Sequence, residues 1–314
     1  MNSFSPLLIA AMLWPLSGAT AVQEDSPTPP PEEPDAAYDL SFNAGLGVKH
    51  DTNVAVLELD ASTDASDQAA LLDLGAGLSY NLTDKATVRA DYALSHTEYD
   101  EFTDFNLTIH RGSLDAVYDF EAFDAGLSYH YIDALLDSSG FLNMRQTSPY
   151  LAKLFDNNVY VRGAYIHTDK RFDDNPSRDA DSDAVSADVF VFFNDLKTYV
   201  VLGVKHSREN ARADRFDYDG NQLSAQLSHK VPFGGRDLQL RSQLRYETRD
   251  YDAITPSIGA QRDDDRYRFD ASAAWPLGDR LTATAEYEYA DNRSNLSVID
   301  FSEHVFTVRL DAKF

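Results

Sequence analysis

The 314-residue sequence has no cysteine. That excludes a disulfide framework, a thiolate metal site and a lipid-attachment cysteine. Beyond the first twenty residues it has no run of eighteen or more apolar residues, so a transmembrane helix is not expected. Basic residues are scarce: 27 Lys and Arg stand against 52 Asp and Glu, a formal net charge of -25. This disfavours nucleic acid as a partner, because phosphate binding needs Lys and Arg patches. Catalytic and cofactor signatures are missing too. There is no G-x-S-x-G, no H-E-x-x-H and no phosphate loop, and no loop carries the calcium spacing D-x-[DN]-x-[DN]-G with a distal Glu. His206-Ser207 is the one adjacent His–Ser pair, with Ser228-His229 reversed on the next segment. Most of the eight histidines fall at segment ends, where an amphipathic ring at a membrane interface is the ordinary explanation. The expectation is a protein without catalysis, cofactor or metal.

What is present begins with an export signal. Pro6 to Leu16 supplies an apolar core and Ala19-Thr20-Ala21 a small-x-small cleavage site, so residues 1–21 read as a signal peptide. Its start carries no Lys or Arg. Residues 22–37, with Thr28-Pro29-Pro30-Pro31-Glu32-Glu33-Pro34, read as a disordered periplasmic tail.

From Tyr38 to Phe314 the pattern is two-residue alternation. Phe306, Val308, Leu310, Ala312 and Phe314 share one face, while Val305, Thr307, Arg309, Asp311 and Lys313 share the other. Such a strand could meet lipid on one side and water on the other. Leu72 to Tyr80, Ala86 to Leu94, Tyr267 to Trp275 and Leu281 to Tyr289 repeat the pattern. We count about fourteen such segments, with centres near Gly45, Ala76, Ala90, Asp115, Ser128, Tyr150, Gly163, Asp188, Leu202, Ala225, Leu244, Ala271, Ala285 and Val308. Short connections such as Asn81-Leu82-Thr83-Asp84 and Leu277-Gly278-Asp279 alternate with longer acidic ones. The long set comprises residues 51–67, 100–106, 250–265 and 291–300 and the stretches around Ser138, Asn175 and Asp214. The expected fold is all-β: an antiparallel outer-membrane barrel with short periplasmic turns, long acidic external loops and both termini periplasmic. A soluble sandwich or propeller fits less well, since its strands favour five or six residues. Tyr80, Phe120, Phe123, Phe155, Phe193, Trp275 and Phe314 sit beside the short turns, as a lower aromatic girdle would.

The face assigned to the lumen is polar. It would hold Arg89, Arg111, Arg145, Lys153, Arg162, Lys205, Lys230, Arg309 and Lys313, together with a basic strip of Arg241, Arg245, Arg249, Arg266 and Arg268. Asp91, Asp115, Asp124, Asp188, Glu247, Asp270, Glu286, Glu288 and Asp311 would face them. Two readings of the strip stand side by side. It could attract anions or an acidic cargo segment, or it could pair with neighbouring carboxylates and stiffen the wall.

The chain ends on Phe314, and its last strand resembles the closing strand of bacterial outer-membrane proteins, whose terminal Phe is read by the barrel-assembly machinery. Short motifs carry a further resemblance: His50-Asp51-Thr52-Asn53-Val54, Gln261-Arg262-Asp263-Asp264-Asp265 and Arg293-Ser294-Asn295-Leu296. Within them Asp51, Asn53, Arg262, Asp263, Ser294 and Asn295 are the loop-motif candidates. Together they resemble the C-terminal barrel of the surface lipoprotein assembly modifiers. The resemblance implies a fourteen-stranded outer-membrane barrel that helps move lipoproteins to the cell surface. It also implies a periplasmic helical-repeat domain, whose place here is taken by the Pro/Glu tail. A separate periplasmic partner and a lipoprotein cargo are therefore expected, besides outer-membrane lipid and lipopolysaccharide. The alternatives are a passive porin for small, anionic solutes and a closed structural barrel.

Overall fold

The computed structural model describes residues 38–156 and 158–314; the expected signal peptide and tail, residues 1–37, lie outside the described residues. The strands are β1 (Tyr38–Asp51), β2 (Ala55–Val56), β3 (Ala61–Ser62), β4 (Asp67–Thr83), β5 (Ala86–Tyr99), β6 (Leu107–Asp119), β7 (Asp124–Leu136) and β8 (Ser139–Phe155). They continue with β9 (Val159–Phe172), β10 (Ala180–Phe193), β11 (Thr198–Ala211), β12 (Tyr218–Phe233), β13 (Arg236–Thr255), β14 (Ala260–Pro276), β15 (Leu281–Ser294) and β16 (Phe301–Lys313). β2 and β3 form a small pair of their own; the other fourteen close into an antiparallel barrel in which each strand pairs with its chain neighbours.

Closure is made by β1. It pairs with β4 along its whole length, from Tyr38↔Tyr80 to Asp51↔Asp67, and with β16 from Asn43↔Lys313 to Asp51↔Val305. Phe42 and Phe314 then exchange backbone hydrogen bonds of 3.1 and 2.8 Å, which seats the terminal residue in the ladder. Lipid supplies no hydrogen bonds, so a sheet can cross it only without a free edge. The shortest barrel strands have 13 residues. At about 3.3 Å per residue and a tilt of about 40°, they rise about 33 Å, enough for a hydrocarbon core of about 30 Å.

The outer surface carries apolar stripes from most of the strands. Leu46, Val48, Leu202, Leu223, Leu244, Phe306, Val308 and Leu310 are all at least half exposed, as side chains surrounded by lipid would be. Both described termini lie at the end with the short turns. There Phe120 stacks on Phe123 at 5.2 Å and Phe233 meets Trp275 edge-on at 5.5 Å, part of the lower girdle. In two adjacent short turns Lys85 pairs with Glu121; that bond holds the Glu121 carboxyl below its ordinary range and the Lys85 ammonium above its own.

At the other end, two connections counted among the long loops are carried mostly by strand. β7 and β8 join through Asp137 and Ser138 alone, both with positive φ. β13 runs to Thr255 and β14 begins at Ala260, so Arg262 and Asp263 are strand residues rather than loop residues. Each extension carries a register shift, between Ala134 and Leu135 in β7–β8 and between Asp250 and Ile254 in β13–β14, and the ladder resumes beyond it despite the acidic composition.

Candidate functional site: the lumen and its long-loop mouth

Alternation fixes which side chains enter the lumen. On β13 these are Arg241, Arg245, Glu247 and Arg249, and on β14 Arg262, Asp264, Arg266, Arg268 and Asp270. In-register pairs such as Arg245↔Arg268 and Glu247↔Arg266 bring the two sets together. The basic strip therefore exists as a column of guanidinium groups running down two strands. Most of it is paired with carboxylates. Arg249 Nε donates to Glu247 at 2.5 Å, Arg266 Nη2 to Asp264 at 3.1 Å, and Arg268 to Asp270 at 3.1 Å and to Glu288. Arg245 stands beside Arg268, and its Nε has no acceptor among the described residues.

Two residues assigned to the lumen point the other way. On β8 the buried residues are Met144, Gln146, Ser148, Tyr150 and Ala152, so Arg145 and Lys153 lie on the outward, exposed face. This strand has polar and apolar residues on both faces, and its parity is settled by its neighbours rather than by its own pattern. Lys153 places its ammonium 5.3 Å from the ring of Phe155 near the strand end, as a side chain reaching for the interface does.

The lumen wall also has a component that the expectation of a polar face missed. At the short-turn end of β8–β11, Tyr150, Tyr160, Phe190, Phe192, Tyr199 and Val201 form a buried cluster. Phe190 is 0% exposed although it faces the lumen. Tyr160 and Phe190 meet edge-on at 5.6 Å, and Leu196 folds in from the turn after β10 to pack on the cluster. The Arg162 guanidinium lies 4.1 Å from the Tyr150 ring centroid. Rings buried to this degree narrow the bore on one side. Alternation from Asp188, assigned to the lumen, already puts Phe190 and Phe192 on the inner face, but strand pattern alone could not say that they would pack into a buried cluster there.

The long-loop mouth is where the candidate motifs meet. Asp51 is 1% exposed and accepts hydrogen bonds from the Asn53 backbone N–H at 3.0 Å and from Tyr99 Oη at 2.9 Å. Asn53 Oδ1 then accepts from Ser62 Oγ and from the Asp64 backbone N–H, both at 2.9 Å. These bonds shape the connection between β1 and β4. Its β2–β3 pair brackets a 3₁₀ turn, Leu57–Leu59, capped by Asp60 with φ 54°. Asp60 projects away from its own strands. One of its oxygens accepts from Arg262 Nη1 at 3.0 Å, and the other from Arg178, whose Nη1 also donates to the Glu58 carbonyl at 2.9 Å. Arg178 belongs to the β9–β10 connection, and β10 is seven strands from β1 in either direction round the ring. The first connection thus crosses the mouth to the opposite wall.

The other motif residues brace this crossing. Arg262 is held by Asp264 through Nε and Nη2, both at 2.9 Å, and stacks on Tyr251 at 4.5 Å. The Asp263 backbone N–H donates to Asn295 Oδ1 at 3.2 Å, and Asn295 Nδ2 to the Gln261 carbonyl at 2.8 Å. Ser294 Oγ accepts from the Leu296 backbone N–H at 3.0 Å. So Asp51 and Asn53 shape the near end of the connection whose Asp60 meets Arg262, while Asp263, Ser294 and Asn295 fasten the neighbouring loop.

The sequence from residue 41 to 314 matches the pattern of the surface lipoprotein assembly modifiers. The chain belongs to that family. Among curated proteins none matches it. Three solved structures share the architecture of this family member. An anion-selective porin from Comamonas acidovorans has a TM-score of 0.52 at 12% identity, covering 88% of this chain and 99% of that one. OmpF of Salmonella typhi in complex with daunomycin has a TM-score of 0.52 at 10% identity, covering 88% and 97%. OmpT of Vibrio cholerae has a TM-score of 0.51 at 10% identity, covering 89% and 98%. At these identities the likeness is one of fold. It shows a closed antiparallel barrel of the kind found in outer-membrane porins.

The structure does not bring the His–Ser pairs of the sequence together on one face. His206 and Ser207, like Ser228 and His229, are successive strand residues and point to opposite faces. His206 bonds instead to Asn221 at 2.9 Å, His110 to Tyr92 at 2.7 Å and His304 to Tyr287 at 2.9 Å on the outer surface.

Proposed function

We propose that this family member is a non-enzymatic export or assembly pore for lipoproteins, closed at rest and opened in the course of transport. The observation that carries the reading is the path of the first connection, which crosses the mouth and is held by Arg178 at the far wall and by Arg262 on β14. The aromatic cluster that narrows the other end supports it, and so does membership of a family described by surface lipoprotein assembly. In this reading the short-turn end, with both termini, faces the periplasm and receives cargo from a periplasmic partner. Phe314 is the mark for the barrel-assembly machinery, and the outward girdle contacts lipid and lipopolysaccharide. The guanidinium column, Arg241 to Arg268, would track an acidic segment of cargo.

The test has two arms. Refolded protein in a planar bilayer is expected to give no steady conductance, and a deletion strain to leave lipoprotein cargo inaccessible to external protease. A steady wild-type channel whose anion preference reverses when Arg241, Arg245 and Arg268 are changed to Glu would overturn the export reading in favour of a porin.

A further inference from the structure

We propose that the connection between β1 and β4 is a hinged lid over the long-loop mouth, and that Asp60 is its latch. The inference deepens the export reading by assigning a gate to the same lumen.

Three features of the geometry carry it. First, each receiving arginine has a contact of its own outside the lid. Arg262 is gripped by Asp264 and stacked on Tyr251. Arg178 lies 4.3 Å from the Phe216 ring centroid, and that ring is also approached by Arg215 at 4.6 Å. Each guanidinium takes a different Asp60 oxygen, so one carboxylate ties β14 to the β9–β10 connection.

Second, the carboxylate is withdrawn from water, with 12% of its side chain exposed, and its partners with 14% and 3%. An ion pair in such a setting is screened far less than a surface pair, and losing one partner strands two charges. Third, the connection is built as a unit with a single far attachment. Its near end is pinned by the Asp51–Asn53–Ser62 bonds and by Val54, which packs fully buried against Ala69 and Tyr99. Its middle is the β2–β3 pair, of which β3 lies against the turn Ser297–Ile299. Beyond that, the hold on the far wall is the Asp60 carboxylate and the Glu58 carbonyl. A rigid near end, a compact body and one charged tip describe a flap that swings when the tip is released.

Because the chain lacks cysteine, a single reporter thiol can read the lid directly. Ile299, 1% exposed beneath the β2–β3 pair, is the position: Ile299→Cys would be probed with a membrane-impermeant maleimide in the refolded barrel, with heat-modifiable gel mobility confirming folding of each variant. With Asp60 in place the thiol should react slowly. Asp60→Asn keeps the shape and tolerates the left-handed backbone but removes the charge, and should speed labelling at least about tenfold, as loss of one member of a withdrawn ion pair shifts a local opening equilibrium. Arg178→Met should do the same from the opposite wall. Asp64→Asn, in the same connection but outside the latch, should leave the rate unchanged. Labelling within twofold across Asp60→Asn, Arg178→Met and the unsubstituted latch overturns the proposal, as does rapid labelling with the latch intact. Failure of the export reading would show separately, as cargo that reaches the surface without this protein while the labelling result stands.

Discussion

Arg309 offers the sharpest test of what holds the barrel closed. It lies on the last strand, 2% exposed, and reaches carboxylates on both sides of the closure: Asp73 on β4 at 3.4 Å and Glu286 on β15 at 3.3 Å, with Asp311 at 3.8 Å. One side chain therefore ties β16 to its neighbour β15 and, across β1, to β4. Arg309→Met keeps the stem and removes the charge, leaving Asp73 and Glu286 facing each other in a confined lumen. Stripping one partner from a fully buried pair costs about 3–5 kcal/mol; lumen water relieves part of this, so about 2–3 kcal/mol is expected. Arg309→Lys should fall between, since one ammonium cannot serve two carboxylates as a forked guanidinium does. The assay is reversible urea unfolding of the refolded barrel, followed by intrinsic fluorescence, with the midpoint shifting and the slope constant. Adding Asp73→Asn and Glu286→Gln to Arg309→Met should recover most of the loss, because the stranded charges go with their partner. An Arg309→Met barrel within about 0.5 kcal/mol of wild type, the size of an ordinary surface substitution, would show that the ladder alone closes the ring and that this network adds nothing.

Other substitutions test the remaining parts. Gly126 lies under the Tyr150 ring, and a Cβ there would sit 2.1 Å from Tyr150 Cζ; Gly126→Ala should push the ring off Arg162 and cost about 1–3 kcal/mol as an overpacked site, read by the same unfolding assay. Phe190→Ala empties the centre of the aromatic cluster and should cost about 3–5 kcal/mol, the range for a buried Phe, although an expectation of a wholly polar lumen would assign this position almost no cost. Asn53→Ala removes the acceptor shared by Ser62 and Asp64; it should loosen the lid by about 1–2 kcal/mol, seen as faster labelling of Ile299→Cys with the urea midpoint unmoved.

These positions also mark how far the sequence could be read. The barrel was legible because two-residue alternation over strands of 13 residues or more is a local property, and Phe306 to Phe314 show it without help from any partner. Turn residues at Asn81–Asp84 and Leu277–Asp279 set the count of strands in the same way. Local pattern failed where a neighbour had to decide. β8 offers Arg145, Thr147 and Lys153 on one face and Gln146, Ser148 and Tyr150 on the other, so neither face declares itself polar, and its inward side follows from pairing with β7 and β9. Phe190 and Phe192 are apolar residues on the inner face set by Asp188, and their burial comes from Tyr150, Tyr160 and Tyr199 on the neighbouring strands.

The mouth was half legible, and the divide is physical. Asp51, Asn53, Arg262, Asp263, Ser294 and Asn295 stood out as motifs, but Asp60 and Arg178 did not, since each is one acidic or basic residue among many in exposed connections. Their significance comes from contacts 118 and 202 residues apart in sequence, which exist only once the ring has closed and set the two walls a fixed distance apart. In the proposed opening, Arg178 and Arg262 would be left facing the mouth without the Asp60 carboxylate between them. A gate built this way carries its own restoring force: two fixed guanidinium groups, partly withdrawn from water, attract the returning carboxylate more strongly than exposed charges would.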